Sequence, residues 1–253
     1  MISKNELQYY SSLLTKKYRK KENKFIVEGK KSVLEGLNSS YKCEVVFITN
    51  KFSDENKEIV ADITSSKKKI VTLKQKEFEK ISDTKTPQGI AAVFNKPKNI
   101  FEKVYSFNDK LIIMLDNISD PGNLGTIIRN CDWFGIKNIL LSENIVDYTN
   151  PKVIRSSMGS VFHLNLFEEV GTKSLLKFKS QGYEILCADL EGENIFSYQR
   201  NKKTIIILSS ESHGPSKEFL EISDKKICIP KIGNAESLNV ASASAVLLAI
   251  LTK

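Results

Sequence analysis

Histidine is scarce in this 253-residue chain, with only His163 and His213, and the four cysteines (Cys43, Cys131, Cys187, Cys228) are scattered. No C-x-x-C pair occurs, so neither a disulfide framework nor a zinc site is indicated, and no resident metal is expected. No apolar run is long enough to cross a bilayer, and Met1-Ile2-Ser3-Lys4-Asn5 opens a polar, basic segment instead of a secretory signal. The expectation is therefore a cytoplasmic protein with no membrane partner. Both G-x-x-x-x-G-K-[ST] and G-x-G-x-x-G are missing, which argues against a P-loop and a dinucleotide fingerprint. G-x-S-x-G is missing too, and the adjacency of Ser212 and His213 makes nucleophile-to-base geometry difficult, which disfavours a hydrolase. There is no internal repeat or low-complexity segment.

What is present is an ordinary globular composition, 41% apolar and 27% charged, long enough for two cores. The net charge of +8 is unevenly placed: residues 1–31 hold nine lysines and arginines against three glutamates. Tyr9, Tyr10, Tyr18 and Phe25 interleave with that basic cluster. Phosphates bind such charge and bases stack on such rings, so Lys16, Lys17, Arg19, Lys20 and Lys21 are candidate nucleic-acid contacts, against the plainer alternative of a solvated lysine-rich face.

From Lys24 to Asn95, short β-rich runs (Phe25 to Val27, Val45 to Ile48, Lys69 to Leu73, Ile90 to Phe94) alternate with helical patterns such as Lys31 to Leu37. This predicts a small α/β domain over residues 1–95, followed by a Pro- and Lys-containing linker over 96–110. A second domain over 111–253 opens with the apolar strand Leu111 to Leu115. The turn Asp120-Pro121-Gly122-Asn123 follows, then a helix with Leu124, Ile127, Ile128 and Cys131 on one face, stopped near Gly135. Further apolar strands at Ile139 to Leu141, Tyr183 to Ala188, Thr204 to Leu208 and Lys226 to Ile229 are suited to burial on both faces, as in a parallel sheet.

Three strand-end stretches carry candidate chemistry. Arg129 falls opposite the core face of the helix that follows Asn123, near the small residues Gly122, Gly125 and Thr126, where it can grip a phosphate or carboxylate. Leu208-Ser209-Ser210-Glu211 leads to Gly214 and to Ser216, a plausible N-cap, so that Glu211 stands in a turn rich in backbone donors. Ile229-Pro230 leads to Ser237-Leu238-Asn239, a polar tripeptide before an almost wholly apolar final helix, which Ser237 or Asn239 can cap. In a parallel sheet these loops meet along one edge, the usual place for a ligand.

In order and spacing these stretches resemble the three motifs of the SpoU (TrmH-like) branch of the SPOUT methyltransferases. The first motif matches as Asp120 to Gly125 with Arg129, Asn130, Phe134 and Gly135; the second as Glu211 to Ser216; the third as Ile229-Pro230, Gly233 and Glu236 to Ala241. Phe25-Ile26-Val27-Glu28-Gly29 and Thr86-Pro87-Gln88-Gly89-Ile90 resemble the ends of the L30e-like α/β substrate-binding domain that precedes many of these enzymes. The resemblance covers nearly the whole chain. It implies a C-terminal parallel-sheet α/β domain closed by a deep trefoil knot, which periodicity does not reveal. It also implies a homodimer through the final helix, S-adenosyl-L-methionine as cofactor, and transfer of its methyl group to a ribose 2′-hydroxyl of structured RNA, with rRNA ahead of tRNA. On that pattern the catalytic set is Asn123, Arg129, Glu211, Ser237 and Asn239. The cofactor set is Leu208, Ser209, Gly214, Ile229, Pro230, Ser237, Leu238 and Asn239. Arg129 and Arg155 join the N-terminal basic residues as RNA contacts. Ser209 and Ser212 stand where the family usually has glycine, and a serine at 209 keeps the same backbone contacts if its φ is negative. The alternative is an RNA-binding protein that has kept the fold without turnover.

Overall fold

β-Branched and aromatic residues at Phe25 to Val27 form the centre of a strand, β1 (Lys24–Glu28), buried on both faces. In the computed structural model, which describes residues 2–97, 109–211 and 214–253, the N-terminal unit also contains α1 (Lys4–Ser12), α2 (Lys16–Glu22), α3 (Lys30–Leu37), β2 (Cys43–Thr49), α4 (Asn50–Glu55), α5 (Lys57–Ser65), β3 (Ile70–Leu73), α6 (Gln75–Phe78) and β4 (Ile90–Asn95). Its sheet runs β1-β4-β2-β3; β4 is antiparallel to both neighbours, and β2 and β3 are parallel. A capping box between Ser3 and Glu6 starts α1, whose Leu7 and Tyr10 pack on Ile26, Val45 and Phe47. The expected linker at 96–110 falls largely outside the described residues.

The chain does not divide at a single point. Asp147–Phe162, from the middle of the expected catalytic domain, belongs by its contacts to the N-terminal unit. It carries α8 (Pro151–Ser157), started by Asn150, and it ends in Phe162, whose ring stands 5.0 Å from Tyr41 and 5.2 Å from Phe94. Gly36 lets the helix approach this cluster, because a Cβ there would lie 2.5 Å from Phe94 and 2.8 Å from Phe162.

The second unit is a six-stranded, wholly parallel sheet. In chain order its elements are β5 (Leu111–Asp116), α7 (Pro121–Trp133), β6 (Asn138–Leu141), β7 (Asn165–Phe167), α9 (Thr172–Ser180), β8 (Glu184–Asn194), β9 (Thr204–Ser209), α10 (Lys217–Ile222), β10 (Lys225–Cys228) and α11 (Val240–Leu251). The strand order is β10-β8-β9-β5-β6-β7. Every residue of β5 is buried, as its unbroken apolar run requires in a sheet covered on both sides. Phe178 of α9 and Phe219 of α10 pack against Ile112, Met114, Ile205 and Ile207, while α11 packs against α7 and β9. Since all strands point the same way, the loops after β5, β9 and β10 emerge along one edge. Among the described residues no helix is long and apolar enough to cross a membrane.

Candidate active site

The edge is built first by local chemistry. β5 ends at Asp116, which is 2% exposed and accepts a hydrogen bond from the Ser216 amide at 2.9 Å, tying the loop after β9 to the end of β5. Asn117 then turns through a left-handed φ of 55°, a conformation asparagine tolerates. Asp120 caps α7 by accepting from the Asn123 amide at 2.8 Å, and Pro121 occupies the first helical position. With Leu124, Ile127, Ile128 and Cys131 buried against the sheet, Asn123 and Arg129 are left off the core face. Asn130 donates to Ala241 O and Ser244 Oγ, both at 2.9 Å, and fastens α11 to α7.

Three of the five expected catalytic residues form one hydrogen-bonded chain. Glu211 Oε1 accepts from the Val240 amide at 2.6 Å and from Asn123 Nδ2 at 3.4 Å; Asn123 Oδ1 accepts from Asn239 Nδ2 at 2.9 Å. Asn239 Oδ1 in turn accepts from the Ala241 and Ser242 amides at 3.0 and 3.3 Å. Asn239 is therefore the N-cap of α11, and Glu211 adds a carboxylate at the positive end of the same helix. Ser237 and Arg129 are not joined to this chain. Both are exposed, Arg129 on the outer face of α7 and Ser237 in a loop, 231–239, exposed along its whole length.

Beside this chain lies a cavity of about 480 Å³, within the range of small-ligand clefts. Leu208, Ser209, Gly214, Ile229, Pro230, Ser237 and Leu238 line it; of the expected cofactor set only Asn239 does not. Ser209 ends β9 without a left-handed φ, so its side chain brings no backbone strain. Ser212 lies outside the described residues.

Sequence reasoning missed one wall, Ala188, Asp189 and Leu190. They lie where pairing of β8 with β10 jumps from Cys187↔Lys226 to Glu193↔Ile227. The signal was Gly192, a glycine within a strand pattern: a Cβ there would meet the Ile227 backbone at 2.6 Å. Burial raises the Asp189 pKa, but hydrogen bonds from Lys226 and the Glu191 amide outweigh it and hold the carboxyl below its ordinary range.

One expected RNA contact is corrected. Lys16, Lys17, Lys20 and Lys21 are exposed on α2, but Arg19 is 3% exposed. Its Nε and NH2 reach Asp147 Oδ2 at 2.9 and 2.8 Å, and its NH1 donates to the Leu13 and Leu14 carbonyls. Four of the five N–H donors of this guanidinium are engaged inside the fold and the group is buried, so it is not placed to meet a phosphate. Arg155 is part-exposed and pairs with Asp83 at 2.7 Å.

Fold and site together define a methyltransferase of the SPOUT class. The model of the SpoU rRNA methylase family matches residues 110–249, and that of the MRM3-like substrate-binding domain matches residues 4–92. The chain belongs to the SpoU rRNA methylase family. It is 31% identical to the 23S rRNA (guanosine(2553)-2′-O)-methyltransferase RlmP of Bacillus subtilis over 94% of this chain and 92% of that protein. A candidate RNA methyltransferase of the TrmH family from Porphyromonas gingivalis superposes with a TM-score of 0.87 at 32% identity, covering 99% of this chain and 98% of that one. The SpoU methyltransferase AviRb of Streptomyces viridochromogenes, solved with S-adenosylmethionine, shares the fold at 21% identity, with a TM-score of 0.88 over 99% of this chain and 97% of its own.

Proposed function

We propose that the chain transfers a methyl group from S-adenosyl-L-methionine to a ribose 2′-hydroxyl of large-subunit rRNA. The observation that carries this is the Asn123–Glu211–Asn239 chain beside a cleft of cofactor size, with Arg129 on the same helix as Asn123 and exposed. The likeness to RlmP, a 23S rRNA enzyme by name, supports the substrate class.

The cleft suits the cofactor. Leu208, Ile229 and Leu238 offer apolar walls to an adenine ring, and Asp189, Lys231 and Glu236 offer charge to an amino-acid end. When bound, the cofactor supplies an electrophilic methyl group on a sulfonium. The chain's own contribution is positional, because an in-line displacement depends on holding the ribose oxygen close and aligned. A guanidinium has five N–H donors and no acceptor, so Arg129 acts as an anion grip, holding an RNA phosphate and stabilising charge on the 2′-oxygen as its proton leaves to water or phosphate. Asn123 and Asn239, locked to each other and to Glu211, keep the start of α7 fixed against α11. Ser237 stands in the cleft wall.

Two architectural readings go with this. β10 is the sheet edge, yet α11, reached through residues 229–239, is fastened to the loop after β9 and to α7. The chain must cross back over the ends of β8 and β9, a path that supports the trefoil knot. The half-exposed apolar residues Ala243, Ala245, Val246, Ala249 and Ile250 support α11 as the contact of a homodimer, which light scattering will report as twice the 28.6 kDa chain mass. The L30e-like unit, with Lys16, Lys17, Lys20 and Lys21, then presents the RNA, in the cytoplasm where ribosomes are assembled. The test is incubation of the purified protein with S-adenosylmethionine and unmodified 23S rRNA transcript, followed by mapping of ribose methylation. Absence of any 2′-O-methyl product, or methyl on a base, ends the proposal.

A further inference from the structure

Trp133 is the sole tryptophan of the chain and is 84% exposed at the last residue of α7. It makes no ring or cation-π contact with the described residues, so the fold derives no packing from it. A single exposed apolar residue is common on protein surfaces, but this one brings a large π face to the helix that also presents Arg129. Its place on the helix indicates which ligand. Gly122, Thr126, Arg129 and Trp133 follow at intervals of four, three and four and so share one face of α7. The first two are small, and Thr126 folds its hydroxyl back onto the Gly122 carbonyl at 2.9 Å, leaving open ground before Arg129. Arg129 and Trp133 are one turn apart, about 5–6 Å between Cβ atoms. Neither stacks on the other, so guanidinium and indole are both presented outward.

We infer that Trp133 is a substrate-positioning residue, stacking on a base of single-stranded RNA whose phosphate is held by Arg129. A cation and an aromatic plane about one nucleotide apart form the pair that single-stranded RNA recognises, charge for the backbone and a π face for the base. A protein partner fits less well. Trp133 is the only exposed large apolar residue of α7, and its neighbours are Arg129 and Asp132, the latter paired with His163 at 2.7 Å. Protein contacts need a contiguous apolar patch, which this ring of polar groups does not provide. The inference rests on the proposed reaction, in which Arg129 faces the RNA.

Because there is no second tryptophan, intrinsic fluorescence reports this ring alone. The free protein will emit as a water-exposed indole, and titration with a twelve-residue oligoadenylate will quench it saturably. In methylation of 23S rRNA transcript, Trp133→Ala will raise KM by about five-fold to a hundred-fold with kcat little changed, as loss of one stacked base implies. Trp133→Phe will recover most of that loss, whereas S-adenosylmethionine affinity and dimer mass will stay as in the parent. Binding of the oligonucleotide by filter retention without quenching, or an unchanged KM in Trp133→Ala, overturns the inference while leaving the methylation reading intact. A blue-shifted emission in the free protein with dissociation of Trp133→Ala to monomers also overturns it, and assigns the ring to a subunit contact. A protein that quenches on RNA yet never methylates ends the catalytic reading and leaves the stacking in place.

Discussion

Arg19 on α2 and Arg129 on α7 carry the same side chain on helices of two different units, and the fold gives them opposite surroundings. Around Arg19 the sequence is densely basic, yet its guanidinium is turned inward and held by Asp147 and two carbonyls, while the lysines beside it stay in water. Around Arg129 the sequence is almost neutral, and the guanidinium stands exposed on the helix that also carries Asn123. Local charge density is thus a poor guide to which cation meets a ligand. What separates the two is whether the fold itself buries the guanidinium and engages most of its N–H donors. Arg155 and Arg200, the other two arginines of the chain, have partners in Asp83 and the Lys110 carbonyl, which leaves Arg129 as the one presented outward among the described residues.

The contrast breaks most sharply at Arg19. Arg19→Ala leaves Asp147 a buried charge without its partner and will destabilise the protein by about 3–5 kcal/mol in urea unfolding, with RNA affinity of the folded fraction unchanged. A mild stability effect with a large loss of RNA binding would place Arg19 with the exposed lysines instead. Arg129→Ala should do the reverse. Methylation will fall by roughly 10²–10³ in kcat, as removal of one preorganised charge donor does elsewhere, and stability will move by less than about 0.5 kcal/mol. Arg129→Lys restores the charge without the planar fork, so full recovery would show that a point charge suffices.

Acid separates the regions next. Burial raises the Asp147 pKa, but hydrogen bonds from Thr149 together with the charge and hydrogen bonds of Arg19 more than offset it, and the folded value lies below the ordinary one. A depressed carboxylate contributes stability that is fully present above its unfolded pKa, about 3.9, and is lost as pH falls through the folded value. The stability gap between the parent and Arg19→Ala should therefore be widest near neutral pH and should narrow below about pH 4, because protonating Asp147 removes the unpaired charge in the variant. A gap that stays constant down to pH 3 would mean that Asp147 is not the group responsible.

Much of the catalytic unit is legible in the sequence because its signals are local. Unbroken apolar runs such as Leu111 to Leu115 and Thr204 to Leu208 can hardly be anything but doubly covered strands, and polar residues clustered just after them mark the edge where the strands end. Sequence leaves two candidates for the cap of the final helix, Ser237 and Asn239, and the amides choose Asn239. What stayed hidden depends on partners remote in sequence. Asp147 is 128 residues from Arg19, and nothing local in Asp147–Phe162 says that it belongs with the N-terminal sheet. β7, three residues long, carries too little pattern to be seen. Arg19 offered one clue: it is the lone arginine in a run of lysines, and a planar five-donor group has a use inside a fold that a lysine does not.

Glu211 supplies the smallest and most discriminating test. It is the only carboxylate in the Asn123–Glu211–Asn239 chain, and a carboxylate beside a reacting hydroxyl invites the role of proton acceptor. Its contacts point elsewhere: the same oxygen, Oε1, accepts both the Val240 amide and Asn123 Nδ2, an acceptor role that a neutral amide oxygen can fill. Glu211→Gln should retain both hydrogen bonds and lose only the favourable meeting of negative charge with the α11 N-terminus, about 0.3–1 kcal/mol, so stability and kcat will each fall slightly. Glu211→Ala, which removes the acceptor itself, will cost more and weaken cofactor binding, because the cavity wall at Glu211 and Val240 loses its tie. If Glu211→Gln instead loses as much activity as Arg129→Ala while S-adenosylmethionine still binds, the charge is needed for chemistry. Proton transfer would then run through Glu211, and Arg129 would stand as the phosphate grip alone.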